Sequence, residues 1–232
     1  MNNIFNRSIG LLGEDNFSLI QNKVIAIFGL GGVGGTALEA LARTGFKNFV
    51  LIDFDIVDPS NLNRQILYTA KDIGRNKVDV AKERILSINE EANIHIYNSK
   101  AQDFDFNQKI DYIVDAIDDV NGKLFILKKA QELNIPSIMS LGMANRFDPS
   151  KVKIAKLNQT HSDPLAKKIR YLAKKDGLDI SKISVVISEE LPQKNGEKLY
   201  STLMVPSSAG LSIAKYILEC IINTKIRSAY YG

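Results

Sequence analysis

The sequence predicts an α/β fold: a Rossmann-like, three-layer α/β/α arrangement around a mainly parallel sheet. Three observations carry that reading. From Val24 to Asp53 an apolar run, a glycine turn, a helical pattern and a second apolar run follow one another. Strand-like and helical patterns then alternate as far as residue 142, which implies right-handed βαβ crossovers. The tips carrying Gly29, Asp53 and Asp118 would share the carboxyl edge, where open α/β sheets bind ligands.

Residues 1 to 22 read as a short, partly helical N-terminal arm, with Arg7 ahead of Leu11 and Leu12, which are placed to staple the arm to the body. The apolar run Val24 to Phe28 stops at Gly29, and Gly29, Gly31 and Gly34 stand as G-x-G-x-x-G with Gly32 inside it. Gly29 allows the tight turn, Gly31 lets backbone approach a phosphate, and Gly34 lets the helix pack close to the strand. Val33, Ala37, Ala40 and Leu41 form one helical stripe, and Gly45 suits the helix stop. Phe49 to Ile52 is a second strand, ending at Asp53, an acid placed to accept hydrogen bonds from ribose hydroxyls.

Asp58-Pro59-Ser60 reads as a turn. Val78, Ala81, Ile85 and Ile88 fall at helical spacing, and Ile94 and Ile96 alternate as a strand does, with His95 an ordinary strand residue. Asp111 to Asp119 is an apolar strand ending in acids, Val120 to Leu133 a helix, and Pro136 opens the strand SIMSLG.

The last third differs in kind. Val152 to Leu157 alternates as a strand, and Asp163-Pro164 is a good N-cap and first-turn pair. The helix from Pro164 to Lys175 has Leu165, Ile169 and Leu172 inward and Lys167, Lys168, Arg170, Lys174 and Lys175 largely outward. Ile183 to Ile187 reads as a strand, Gln193 to Lys198 as a polar loop and Ser207 to Ile222 as a closing helix. With no repeat, low-complexity tract or linker, residues 1–232 are expected to form one domain, and residues 143–232 add strands and helices over the sheet edge.

With 232 residues, 45% of them hydrophobic and 24% charged, the chain can bury a full core. Its polar start does not read as a signal peptide. No apolar run reads as a membrane span, since the best stretch, Leu203 to Ile222, is interrupted by Pro206, Lys215 and Glu219. A cytoplasmic protein without a membrane partner is expected. One cysteine, Cys220, leaves no internal disulfide and no multi-cysteine zinc site. It falls within the closing helix and reads as a buried apolar thiol. The net charge of +4 is modest, so its placement matters more than its size.

A dinucleotide-dependent dehydrogenase would use the same glycine turn. Here Arg64 and Lys77 follow Asp53, and two cations beside a glycine turn suit a triphosphate, whose leaving pyrophosphate gathers charge. Asp118 would hold Mg²⁺ on those phosphates. Taken singly, the cations read equally as a solvated loop, and Asp118 and Asp119 as a helix N-cap. Taken jointly and in this order, they point to a triphosphate.

Five ordered blocks, G-L-G-G-V-G, L-I-D-F-D, S-N-L-N-R-Q, N-K-V and D-A-I-D-D, closely resemble the ubiquitin-activating-like (ThiF/MoeB/HesA) adenylyltransferases. The resemblance runs from about Arg7 to Gly142. It implies that Gly31 and its neighbours bind the ATP phosphates and that Asp53 binds the ribose. It further implies that Asn61, Arg64 and Lys77 contact the phosphates, and that Asp118 holds Mg²⁺ and is needed for adenylation. Asp55 and Gln65, inside the same blocks, belong to the expected ATP site. Arg7 matches an N-terminal arginine that reaches into the partner subunit's ATP site, which implies a homodimer. In such enzymes a substrate carboxylate attacks the α-phosphorus, and positioning and charge neutralisation do the rest.

The last third is similar to one branch of that family, which dehydrates N6-threonylcarbamoyladenosine in tRNA. The supporting blocks are G-M-A-N-R-F-D-P from Gly142, Q-T-H-S-D-P-L-A-K-K-I-R from Gln159, and Val205-Pro206. This resemblance implies activation of the threonine carboxylate at tRNA position 37, followed by ring closure with loss of water. tRNA is then the substrate partner, and a sulfur-relay protein is a further candidate partner. The basic face of the helix from Pro164 to Lys175 suits a phosphate backbone; the residues alone read slightly better as a solvated cationic face, and the resemblance tips the reading toward tRNA. The alternatives are an adenylyltransferase for the Gly-Gly terminus of a small sulfur-carrier protein and a non-enzymatic nucleotide-binding protein.

Overall fold

The computed structural model describes residues 4–161, 163–193 and 199–230. Its strands are β1 (Val24–Phe28), β2 (Asn48–Ile52), β3 (Asn93–Tyr97), β4 (Tyr112–Asp115), β5 (Ser137–Ser140), β6 (Val152–Lys156) and β7 (Ser184–Ser188). They form one sheet in the order β3-β2-β1-β4-β5-β7-β6. All neighbours are parallel except β6, which runs antiparallel to β7 at the edge. Phe28 pairs with Ile52 on one side and Asp115 on the other, so three strands end level. That register brings Gly29, Asp53 and the residues after Asp115 to one edge.

The helices are α1 (Asn6–Leu12), α2 (Glu14–Gln21), α3 (Gly32–Thr44), α4 (Lys77–Leu86), α5 (Val120–Glu132), α6 (Pro164–Lys175) and α7 (Met204–Tyr230). The central strand β1 is apolar on both faces because helices cover both. Ile25 and Ile27 pack with Leu38 and Leu41 of α3, Ile85 of α4 and Ile213 of α7. Ala26 and Phe28 face the other way, toward Ile126 of α5 and Phe104. Further along that second face α6 packs on α5 and β7, through Ile169, Leu127 and Val185. The last third therefore lengthens the sheet by two strands and contributes a helix to each face. The expected loop at 193–198 falls mostly outside the described residues.

Three expectations need correction. In the arm, Leu12 packs against the core as expected, but Leu11 is 84% exposed, and Phe17 and Ile20 are the fully buried anchors. Phe5 packs on Phe17 at a ring separation of 5.6 Å, a contact that the Leu-Leu pair concealed. Cys220 is half-buried beside Tyr112 and Tyr216 rather than enclosed. The closing helix begins at Met204, earlier than expected, and continues to Tyr230. Pro206 does not interrupt it, because a proline in the first turn gives up an N–H that has no partner there. By length and composition Met204–Ile222 would suffice to cross a membrane. Its apolar stripe of Val205, Ala209, Ile213, Ile217 and Ile221 is buried in the core, which accounts for that composition.

The α3–α7 crossing is close. A Cβ on Gly210 would lie 2.5 Å from the Val33 carbonyl oxygen and 2.7 Å from Thr36 Cβ. Backbone cannot yield as a side-chain tip does, so Gly210→Ala is expected to destabilise the fold by about 1–3 kcal/mol. Leu211→Ala, at an adjacent exposed position, should be nearly neutral in the same chemical denaturation series.

Candidate nucleotide-binding site

The site starts from the turn after β1. Gly29 sits at φ +86, a conformation that favours glycine. A Cβ there would meet the Ala116 backbone at 2.8 Å, and one on Gly34 would lie 1.8 Å from the Gly29 oxygen. These two glycines shape the turn and the strand–helix contact, as expected. Gly31 caps α3, and a Cβ added to it would find only Gln65 Nε2, at 3.8 Å. The helix N-terminus, with its unpaired N–H groups and partial positive charge, thus opens into free space.

Two side chains clamp the turn. The Leu30 N–H donates to Asp53 Oδ2 at 2.6 Å, and the Tyr68 hydroxyl donates to the Leu30 carbonyl at 2.9 Å. Asp53 Oδ1 accepts the Asp55 N–H at 2.9 Å. Each carboxylate oxygen keeps lone-pair capacity for a ligand hydroxyl. Burial pushes the Asp53 carboxyl up from its ordinary value, and the nearby Lys77 charge and the two N–H donors offset only part of that.

Around this turn lies a cavity of about 750 Å³. Of the residues expected in the site, Gly29, Gly31, Gly32, Asp53, Asp55, Asn61, Arg64, Gln65, Lys77 and Asp118 all line it. Gly34 lies behind the wall, in its packing role. Arg7 is exposed on α1 and does not line this cavity.

The charged groups have specific arrangements. Lys77 is buried, and its Nζ meets Asp55 Oδ2 at 2.7 Å. Arg64 Nη1 donates to the Ser60 carbonyl at 2.6 Å and to Asn63 Oδ1 at 3.0 Å. Asn61 Oδ1 accepts the Asp58 N–H in a capping box that fixes the loop. Asp118 is exposed in the cavity and makes no hydrogen bond or ion pair with a described residue. Asp119, by contrast, caps α5: its Oδ2 accepts the Gly122 N–H at 2.6 Å, which holds its pKa below the usual carboxylate range. The cap alternative therefore belongs to Asp119 and not to Asp118.

Two features escaped the sequence. The segment Ser99 to Gln102 closes one wall of the cavity, yet it carries no motif and follows an edge strand. Ser99 Oγ and Gln65 Oε1, both on cavity-lining residues, are buried with no hydrogen-bond partner among the described residues. Beneath the cavity, Lys123 Nζ meets Asp115 Oδ1 at 2.8 Å, with side chains 0% and 1% exposed. The same oxygen accepts the Ile117 N–H at 3.3 Å, tying the pair to the loop that carries Asp118. A signal existed: Lys123 shares a helical stripe with the buried Ile126, Leu127 and Ala130, an inward position that needs an anion.

A Rossmann-type sheet whose first helix tip, two cations and an uncommitted carboxylate meet in one cavity defines an α/β protein of the nucleotide-binding class. The model of the ThiF family matches residues 5–184. The tRNA threonylcarbamoyladenosine dehydratase of Bacillus subtilis is 36% identical over 192 residues, covering 81% of this chain and 75% of the relative. Among solved structures, Escherichia coli tRNA N6-threonylcarbamoyladenosine dehydratase in complex with ATP has 30% identity and a TM-score of 0.89, covering 96% of this chain and 95% of that one. The same Escherichia coli protein in complex with AMP matches at 29% identity and a TM-score of 0.89, with the same coverage. The chain belongs to the ThiF family, in its tRNA threonylcarbamoyladenosine dehydratase branch. Its alignments span 65% to 75% of the length of the bacterial curated relatives.

Removing one partner of a buried ion pair costs about 3–5 kcal/mol, so Lys123→Met should destabilise strongly. Asp115 is already pushed up by burial, with Lys123 as its chief offset. Without Lys123 it rises further, and a raised carboxyl contributes stability that is lost as pH rises. The stability gap between wild type and Lys123→Met, followed by thermal melts, should therefore widen as pH rises from below the ordinary aspartate value of about 3.9.

Proposed function

We propose that this protein catalyses the ATP-dependent dehydration of N6-threonylcarbamoyladenosine at tRNA position 37 through an adenylated carboxylate. The observation that carries the reading is the meeting of the α3 tip, Arg64, Lys77 and Asp118 in one cavity, in a chain with a dehydratase relative at 36% identity. The fit to ATP has support in the site itself. Gly31 leaves space for a phosphate, and Gln65 Oε1 and Ser99 Oγ are buried polar atoms without partners among the described residues.

The threonine carboxylate attacks the α-phosphorus of ATP. An acyl-adenylate forms and pyrophosphate leaves. A nucleophile of the threonylcarbamoyl group then attacks the activated carbonyl, the ring closes and AMP leaves. The nucleoside loses the elements of one water, which end in AMP and pyrophosphate. The α3 N–H groups hold phosphate oxygens, and Asp53 orients the ribose. Arg64, turning from Ser60, and Lys77, turning from Asp55, meet the charge that grows on the leaving pyrophosphate. Asp118, a carboxylate without a partner among the described residues, suits Mg²⁺, a hard cation that takes oxygen ligands. When bound, Mg²⁺ would neutralise phosphate charge.

We extend the reading to a homodimer in which Arg7 completes the partner's site, since Arg7 does not line its own chain's cavity. A tRNA substrate also fits a cytoplasmic place of work.

The test is incubation with ATP, Mg²⁺ and tRNA carrying threonylcarbamoyladenosine. Nucleoside mass spectrometry should show loss of one water, and AMP should appear in step. Pyrophosphate exchange stimulated by a Gly-Gly carrier protein, and not by tRNA, would overturn the reading. Asp118→Ala should lower turnover by ~10²–10³-fold. Arg64→Ala should lower kcat more than it raises KM for ATP, because its partner charge grows in the transition state. Mixing Arg7→Ala with Asp118→Ala should restore about a quarter of wild-type activity, since half of the two-fold dimers are mixed and each holds one complete site. Absence of rescue would contradict the shared site.

A further inference from the structure

Helix α6 carries a charge arrangement that the cavity does not use. Lys167, Lys168, Lys174 and Lys175 are all exposed. Among the described residues none of the four lies within ion-pair distance of a carboxylate; Lys71, Lys100 and Lys151 also lack one, but singly, whereas Lys23, Lys109, Lys128, Lys129, Lys153, Lys182 and Lys215 each have one, so α6 gathers four such lysines on one helix. The acids that follow the helix are already engaged. Asp176 pairs with Lys128 at 2.8 Å, and Asp179 pairs with Lys182 at 3.5 Å.

Two lysine pairs sit seven residues apart, about 10 Å along the axis. Between them Tyr171 stands 68% exposed on the same stripe. Arg170, expected outward, turns in instead: its Nη1 bonds the Thr160 carbonyl at 2.5 Å and also meets the Thr160 hydroxyl. The outward face is thus four uncompensated ammonium groups around one aromatic ring.

The helix is also tied to the reaction edge. Asp163 Oδ1 caps α6 through the Ala166 N–H at 2.8 Å. Asp163 Oδ2 meets Arg146 Nη2 at 3.2 Å, and both residues are buried. Arg146 Nη1 bonds the Gly142 carbonyl, just past the end of β5. The basic face therefore starts beside the carboxyl edge, at the strand next to β4, and runs down the flank beside α5.

We propose that the exposed face of α6 is the docking surface for the phosphate backbone of the RNA substrate, with Tyr171 stacking on an unpaired base. The proposal rests on the dehydratase reading. Ammonium groups without internal partners bind polyphosphate by releasing counterions, and an exposed aromatic between them adds sequence-tolerant stacking. The two lysine pairs set the track, and the Arg146–Asp163 tie fixes its angle to the cavity.

The test compares wild type with Lys167→Gln/Lys168→Gln/Lys174→Gln/Lys175→Gln, using tRNA that carries threonylcarbamoyladenosine. KM for tRNA should rise at least ~10-fold, while ATP affinity stays unchanged. The slope of log affinity on log salt should fall by about 3, since each phosphate that the protein no longer neutralises removes roughly 0.7–0.9. Replacing the four lysines by arginine should restore both. Tyr171→Ala should weaken binding ~5-fold or more without changing the salt slope. If wild type dehydrates the nucleoside but the glutamine variant keeps its tRNA affinity and salt slope, the docking surface is elsewhere. If wild type neither binds nor dehydrates the tRNA, the dehydratase reading falls, and this proposal with it.

Discussion

One backbone N–H fixes the geometry on which the site depends. The Leu30 N–H meets the Asp53 carboxylate at 2.6 Å and so joins the first βα turn to the tip of the neighbouring strand. Hydrogen bonds to charged groups contribute about 1.5–3 kcal/mol, more than a neutral pair. Tyr68 holds the carbonyl of the same residue at 2.9 Å. With Leu30 held at both ends, Gly31 has one place to go and the tip of α3 faces the cavity. Asp53 thereby has two duties. It orders the turn, and it keeps acceptor capacity for a ligand hydroxyl. Its burial is the cost of the first duty, seen as an upward shift of its pKa.

Both cations of the site have internal partners. Lys77 rests on Asp55 and Arg64 on the Ser60 carbonyl. Asp55 is half-exposed at the cavity wall, so this pair opens onto the cavity. The Lys123–Asp115 pair is the opposite case: wholly enclosed, it fastens the loop leading to Asp118. One ion pair opens onto the cavity and the other is closed off from solvent.

Local chemistry was legible in the sequence, and long-range pairing was not. The turn at Gly29, the stripe of α3, the Gly45 stop and the Asp163-Pro164 cap each follow from a few adjacent residues, and each stands where expected. Ten of the twelve expected site residues share the cavity because the strand ends carry them to one edge. Sheet order was invisible beyond the alternation, since β5–β7 pairing is decided by burial across distant segments. The grip of Phe17 and Phe5 on the core was hidden by the more obvious Leu11-Leu12 pair. The Ser99 to Gln102 wall had no motif to announce it. The Lys77–Asp55 pair joins residues 22 positions apart, which no local pattern reveals.

The central claim is that a triphosphate is gripped jointly by the α3 tip, Arg64, Lys77 and Asp118. A crystal structure with a non-hydrolysable ATP analogue and Mg²⁺ tests it most directly. The account predicts phosphate oxygens on the N–H groups after Gly31, Lys77 released from Asp55, Arg64 released from Ser60, and Asp118 on the metal side of the phosphates. A nucleotide bound with both cations still on their present partners, and Asp118 turned away, would contradict it.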